Sequence, residues 1–186
     1  MERLTVQEIA LAAATQLGIE GKVREYFLGV NTEGEEEAKT LVRCFNLIES
    51  ELALDYLPLY AEEELESKTG AVYYDEFDKP IVRVVKITDE WDNDVKFKLY
   101  PEYVKTQGGK LKITYTYAPT EKTKDDATDY AAQVTLRLFT FGVLAEYALA
   151  HGRFEEAAIW DKKYKDSIAA AYRSNPSVKL RARRWA

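Results

Sequence analysis

The sequence predicts an α+β fold: a helical bundle body with an inserted small antiparallel β-sheet subdomain and an extended basic C-terminal tail. Three observations lead there. Apolar residues recur at helical spacing up to Pro58 and again beyond Thr128. Between them, Ala71 to Pro119 breaks into short apolar runs separated by turn residues, the last two alternating with period two. After Asn175-Pro176 the composition turns basic. The expected divisions are N-terminal helices of the body over 1–68, an inserted sheet over 69–119, a C-terminal helical hairpin over 120–173 and a basic tail over 174–186.

The first helix opens on a capping box, Thr5 with Glu8 three positions on. Val6, Ile9, Ala10, Ala13 and Leu17 form its stripe, and Gly18 ends it with Ile19 folding back. A second short helix fits Gly21 to Phe27. Helix, glycine turn and helix also matches a DNA-binding helix-turn-helix, but Lys22 and Arg24 are the only cations of the second helix. A plain helical hairpin is the expectation. Glu35-Glu36-Glu37 starts a long helix, where negative charge suits the free amides. Its stripe runs through Ala38, Leu41, Val42, Phe45, Ile48, Leu52 and Tyr56, widened by Leu47, until Pro58 ends or kinks it.

Leu59 to Glu66 reads as a glutamate-rich helix or as a strand leading into the sheet, and the residues leave both open. Its carboxylates need convergent partners to do acid–base or metal chemistry, and no histidine is near, so a solvated acidic face is the default. Strands are expected at about Ala71–Tyr74, Pro80–Thr88, Val95–Tyr100 and Lys110–Ala118, with turns at Asp92-Asn93-Asp94 and Gly108-Gly109. Val95, Phe97 and Leu99 share one face; Leu111, Ile113, Tyr115 and Tyr117 share another. Thr120 to Thr128 reads as a charged connector, with Thr128 or Asp129 capping a helix that carries Tyr130, Val134, Leu138, Phe141, Leu144, Ala145 and Ala148. Gly142 permits a close crossing, and His151-Gly152 ends that helix. The last helix carries Phe154, Ala157, Ala158, Tyr164, Ile168 and Ala171, with Trp160 reaching a neighbour.

Composition narrows the function. A chain of 186 residues with 46% hydrophobic and 31% charged residues makes one soluble domain, with or without an inserted subdomain. A net charge of -6 argues against a surface that generally coats nucleic acid. Cys44 stands alone, which excludes an internal disulfide and a thiolate metal cluster. The lone His151 suits a helix C-terminus without chemistry, and Gly108-Gly109 lacks the surroundings of a phosphate loop. No catalytic, cofactor or metal residue is nominated. No apolar run has membrane-span length, and Glu2 and Arg3 precede no cleavable apolar segment, so the expected compartment is cytoplasmic or a particle assembled there. The 13 tyrosines and 3 tryptophans either edge a small core or serve protein contacts. The tail interleaves Lys179, Arg181, Arg183 and Arg184 with Leu180 and Trp185, a composition suited to a protein groove ahead of phosphates and bases.

Glu51-Leu52-Ala53 through Leu57-Pro58-Leu59, the Val95–Tyr103 and Lys110–Pro119 strands, and the Phe139–Trp160 helical pair together resemble head–tail connector proteins of tailed bacteriophages. The resemblance is strongest to the adaptor, or tail tubular protein A, type of short-tailed phages. It implies a structural virion protein without enzymatic activity, assembled in the bacterial cytoplasm and located at the neck. Such proteins form a ring, usually of twelve copies, between the portal and the next tail or nozzle protein. They extend the channel through which DNA is ejected, without sequence-specific binding or a membrane. By this resemblance Lys179, Leu180, Arg181, Arg183, Arg184 and Trp185 dock on the portal. Trp91, Tyr100, Tyr103, Tyr115, Tyr117 and Trp160 become candidate inter-subunit residues. Glu62, Glu63, Glu64 and Glu66 either line the channel, where their charge keeps DNA from sticking, or form a solvated outer face. The alternatives are a small-terminase-like DNA-binding or packaging ring using Lys22 and Arg24, an enzyme with a carboxylate site at Glu63 and Glu64, and a generic oligomeric scaffold.

Overall fold

Thr5 starts the first helix as the sequence requires. In the computed structural model, which describes residues 3–131 and 134–174, the Thr5 amide donates to Glu8 Oε2 at 2.8 Å and the Glu8 amide to Thr5 Oγ1 at 3.2 Å. Helix α1 runs Val6–Leu17 and stops at Gly18, whose φ of 72° lies in the left-handed region that glycine tolerates. The Ile19 amide then reaches back to the Ala14 carbonyl at 3.0 Å, completing a Schellman-type end. Helices α2 (Glu20–Phe27) and α3 (Glu35–Glu51) follow, with α3 widening into a π turn over Leu52–Tyr56 just before Pro58. Helices α4 (Leu136–Ala150) and α5 (Phe154–Ser174) close the chain's described part.

The described residues hold a mixed α+β fold, with five α-helices forming a bundle and two three-stranded antiparallel sheets. They divide into two units. One comprises the described parts of 1–49 and 122–186 and is helical; the other is Ser50–Glu121 and carries both sheets. The helical unit buries Val6, Ile9, Leu41, Phe45, Ile48, Phe139 and Tyr164. Phe45 and Phe139 meet with ring centroids 5.4 Å apart. Gly142 lets α4 approach α3 closely: a β-carbon there would lie 2.8 Å from Ile48 Cγ2. Leu47 is 50% exposed and Phe154 71% exposed, so neither belongs to the apolar stripe in which the periodicity placed it.

The expected start of α4 is corrected. Thr128 and Asp129 do not cap it; Thr135 does, accepting from the Leu138 amide at 3.3 Å. The physical reason is a long-range anchor that holds this stretch on α3 ahead of the helix. Thr128 Oγ1 and the Asp129 amide both donate to Glu49 Oε1, at 2.5 and 2.8 Å. The preceding connector is also pinned, since the Asp126 and Lys124 carbonyls accept the first-turn amides of Val6 and Gln7, at 2.9 and 3.0 Å.

In the sheet unit the ambiguous acidic segment is a strand. β1 (Leu59–Ser67) and β3 (Ile81–Asp89) flank β6 (Gly109–Tyr117), so β1 and β3 are the edges. A second sheet pairs β2 (Ala71–Tyr73), β5 (Tyr103–Lys105) and β4 (Lys98–Leu99), in the order β2-β5-β4. The single sheet and the long Val95–Tyr100 strand of the sequence reading are therefore revised. Val95 instead donates its amide to the Ile87 carbonyl at 2.9 Å, and only Lys98–Leu99 remains as a strand. Leu111, Ile113, Tyr115 and Tyr117 do share the buried face of β6. β3 shifts register twice, between Ile81 and Arg83 and between Val84 and Lys86.

Candidate functional site

Of the residues nominated from the sequence, Glu62, Glu64 and Glu66 lie on the exposed face of the β1-β6-β3 sheet. Strand period two divides them. Tyr60, Glu62, Glu64 and Glu66 are exposed along β1, opposite Thr116, Thr114, Lys112 and Lys110 of β6. Lys112 Nζ lies 2.9 Å from Glu62 Oε1. That hydrogen bond holds the Glu62 carboxyl below its ordinary range and raises the Lys112 ammonium above its own. Thr114 Oγ1 adds a bond to Glu62 Oε2 at 3.3 Å. Three glutamates on β1 thus stand beside two threonines and two lysines on β6, and the face carries charges of both signs.

Glu63 points the other way. It accepts a hydrogen bond from the Tyr115 hydroxyl and another from the Asp78 amide at 3.2 Å. Tyr115 is 0% exposed. Burial, then the bond to Glu63, pushes its phenol well above the ordinary tyrosine range. Glu63 and Glu64 therefore sit on opposite faces and do not converge as a carboxylate pair. Grouping all four glutamates as one surface is corrected for this reason. No group of three or more His, Cys, Asp or Glu side chains among the described residues is placed to hold a metal ion.

The aromatic candidates separate in the same way. Tyr115 and Tyr117 lie in their own unit's core, Tyr115 edge-on to Phe77 at 4.9 Å and Tyr117 under Lys79 Nζ at 3.9 Å. Burial there leaves them no surface for a neighbouring copy. Tyr100 stacks on Tyr103 at 4.9 Å, and Tyr103 meets Tyr73 at 5.7 Å, forming a half-exposed aromatic cluster on the second sheet. Trp91 is 73% exposed. It sits on a braced loop: Asp89 accepts from the Trp91 and Asn93 amides, both at 2.9 Å, and Asp92 holds a φ of 61°. Trp160 finds its neighbour in Phe141 of α4, 5.6 Å away, with Lys163 Nζ 4.0 Å above the indole and Arg137 5.1 Å from the Phe141 ring. The six tail candidates, Lys179, Leu180, Arg181, Arg183, Arg184 and Trp185, lie outside the described residues.

The cations of the DNA-binding alternative are occupied. Lys22 Nζ is 3.1 Å from Glu33, and Arg24 is 2.5 Å from Glu20, one turn before it. His151 stacks on Tyr147 at 4.1 Å, with Nδ1 2.8 Å from the Tyr147 carbonyl. Burial pushes the Cys44 thiol up to about 12, which keeps it protonated and unreactive. No helix among the described residues is long and apolar enough to cross a membrane.

One cluster escaped the sequence reading. Lys122 Nζ lies 3.1 Å from Glu49 Oε2 and 3.3 Å from Asp129 Oδ1, with Lys122 and Glu49 both buried. Asn46 adds a two-way clamp, exchanging bonds with the Lys122 carbonyl and amide at 2.9 and 2.8 Å. Lys122 sits in a run of charged residues that looks solvated, and its partners are more than 70 positions away in sequence or in a different local frame, so spacing carries no signal. The cluster pins the returning chain to α3. Compared with family models and with curated proteins, the chain matches none.

Proposed function

We propose that the chain is a structural connector of a tailed-bacteriophage virion, forming a homo-oligomeric ring between portal and tail. The observation that carries this reading is the architecture. Helices α1 to α3 and α4 to α5 belong to one helical unit, and a sheet unit with surface aromatics is inserted between them in the sequence. This is the element order that the resemblance implies. The ring extends the DNA channel and offers the next tail protein a platform. Its interfaces between copies are heterologous, joining two different faces around a closed circle. Trp91, Tyr100, Tyr103 and the Trp160–Phe141 pair supply surface for such contacts; Tyr115 and Tyr117 do not. The acidic column of β1 is given no channel role, because Lys110 and Lys112 stand beside it. The basic tail remains the portal-docking element on sequence grounds.

Two observations disfavour the alternatives. Lys22 and Arg24, the only cations of the second helix, each stand beside a glutamate whose charge offsets their attraction for phosphate. Glu63 and Glu64 diverge, which weakens a carboxylate active site. The test is co-sedimentation with the portal of the same virion. The full chain should pellet with the portal, and a chain ending at Ser174 should bind about tenfold or more weakly, as expected when an anchor residue is removed. Undiminished binding of the shortened chain, or tight salt-sensitive duplex binding abolished by Lys22→Ala and Arg24→Ala, would overturn the reading.

A further inference from the structure

Within the sheet unit, β1 is an edge whose backbone is open, and the direction of its free groups follows from β3. The Ile87 carbonyl and the Asp89 amide bond outward, to Val95 and Asn93, at 2.9 and 3.0 Å. Backbone groups alternate sides along an antiparallel strand, so Thr88 between them faces β6, and its partner Lys112 faces β3. The Ala118 amide, bonded to the Pro80 carbonyl at 2.9 Å, keeps the same alternation at the other end of β6. Leu111, Ile113, Tyr115 and Tyr117 therefore turn their backbone groups toward β1, where they meet Leu65, Glu63, Ala61 and Leu59 in unbroken register. That leaves the amides and carbonyls of Tyr60, Glu62, Glu64 and Glu66 pointing away from the sheet. Outside the β1–β6 ladder, no backbone hydrogen bond joins these four to any described residue.

Edge strands are ordinarily shielded by short length, by bulges or by a covering segment. The opposite edge, β3, has two register shifts, and Asn93 and Val95 cover its far end. β1 is nine residues long and stays in register with β6 throughout. Its protection is charge. Glu62, Glu64 and Glu66 are exposed at period two; Lys112 engages Glu62, while Glu64 and Glu66 form no ion pair among the described residues. The residues with free backbone groups are thus the ones with free side chains. The β1 of a second copy, laid antiparallel, sets Glu62 against Glu64 and is repelled. A strand with a cation at every second position meets the opposite condition. Its cations stand directly across from the glutamates, at the positions that exchange backbone bonds with β1. Across from Tyr60, which is 63% exposed, an aromatic or β-branched residue completes the set.

We infer that β1 is a docking edge for an extended segment of a partner protein in which lysine or arginine alternates with uncharged residues. The segment adds to the three-stranded sheet as a fourth, antiparallel strand. Backbone bonds attach it, and the Glu62, Glu64 and Glu66 carboxylates select its side chains. The edge and its charges belong to the sheet unit alone, and they keep this role whether or not the chain joins a portal.

A synthetic peptide as long as β1, nine residues, tests this against the full chain. It carries threonine at the odd positions, lysine at the second, fourth and sixth, and tyrosine at the eighth. Laid antiparallel, it sets its lysines across from Glu66, Glu64 and Glu62 and its tyrosine across from Tyr60. Fluorescence anisotropy of the labelled peptide should show saturable binding. A peptide of the same composition with its three lysines consecutive should bind about tenfold more weakly, because the edge reads alternation as well as charge. N-methylation of the lysine amides removes donors that face β1 and should weaken binding about tenfold or more, whereas N-methylation of the threonine amides between them, which face away, should leave it unchanged. In the chain, Glu64→Lys with Glu66→Lys reverses two exposed pairs and should weaken binding about tenfold. No saturable binding, equal binding of the alternating and consecutive peptides, or an affinity unmoved by lysine N-methylation or by the charge reversal would overturn the inference. Co-sedimentation with the portal would stand in each case.

Discussion

At the scale of single residues, burial of charge and of polar tips decides most of what can be measured. Lys122 joins Glu49 and Asp129 in a site where Lys122 and Glu49 are nearly cut off from water. Removing one partner of a buried pair leaves an uncompensated charge, at a cost of about 3 to 5 kcal/mol. Lys122→Ala should therefore lower the urea midpoint sharply, and Lys122→Met combined with Glu49→Leu should recover much of the loss. A Lys122→Ala midpoint equal to the parent's would mean that the cluster is solvated. Tyr115 gives a pH prediction. Its phenol titrates well above the ordinary value because it is buried and bonded to Glu63. Above about pH 10 the unfolded chain loses a proton that the folded chain keeps, so this group's stabilising contribution falls as pH rises. Tyr115→Phe should flatten the alkaline limb of the stability curve, and should cost about 1 kcal/mol at neutral pH for the lost hydrogen bond. Tyr147, also raised by burial, keeps a smaller limb in place.

At the scale of elements, the legible parts were those with local causes. The Thr5 capping box, the Gly18 stop and the buried face of β6 are set by residues within a few positions of each other, and the structure has them. The start of α4 was illegible because Glu49, far away in the chain, accepts from Thr128 Oγ1 and the Asp129 amide and so ties this stretch to α3 ahead of the helix. The second sheet was illegible because its strands are two or three residues long, too short for alternation to show. The nature of β1 was undecidable locally, since Glu62, Glu64 and Glu66 fit an exposed helix and an exposed strand face equally; pairing with β6 settles it. Gly142 is the sharpest element-scale test. Alanine there favours the helix by about 1 kcal/mol, yet its methyl meets Ile48, and overpacking costs about 1 to 3 kcal/mol. Gly142→Ala should be net destabilising in chemical denaturation, and adding Ile48→Val should restore part of the loss. A stabilised Gly142→Ala would mean that α3 and α4 are free to separate.

At the scale of the whole molecule, the described residues form a sheet unit inserted between the two sequence segments that build a helical unit. Among the nominated residues, the structure separates surface candidates from core ones: Trp91 stays exposed, while Tyr115 and Tyr117 are consumed by their own unit. Alternation along β6 places Tyr115 and Tyr117 on one face with Leu111 and Ile113, so the sequence carried that distinction for them; Trp91 sits in a loop, where alternation says nothing. The role proposed for the chain is that of a ring-forming segment of a conduit. Electron microscopy of the full chain mixed with the portal of the same virion tests it most directly. The account predicts a collar of added density on the tail side of the portal, with the portal's axial channel continuing open through it. A portal unchanged by excess chain, or density that plugs the axis without forming a ring, would contradict it.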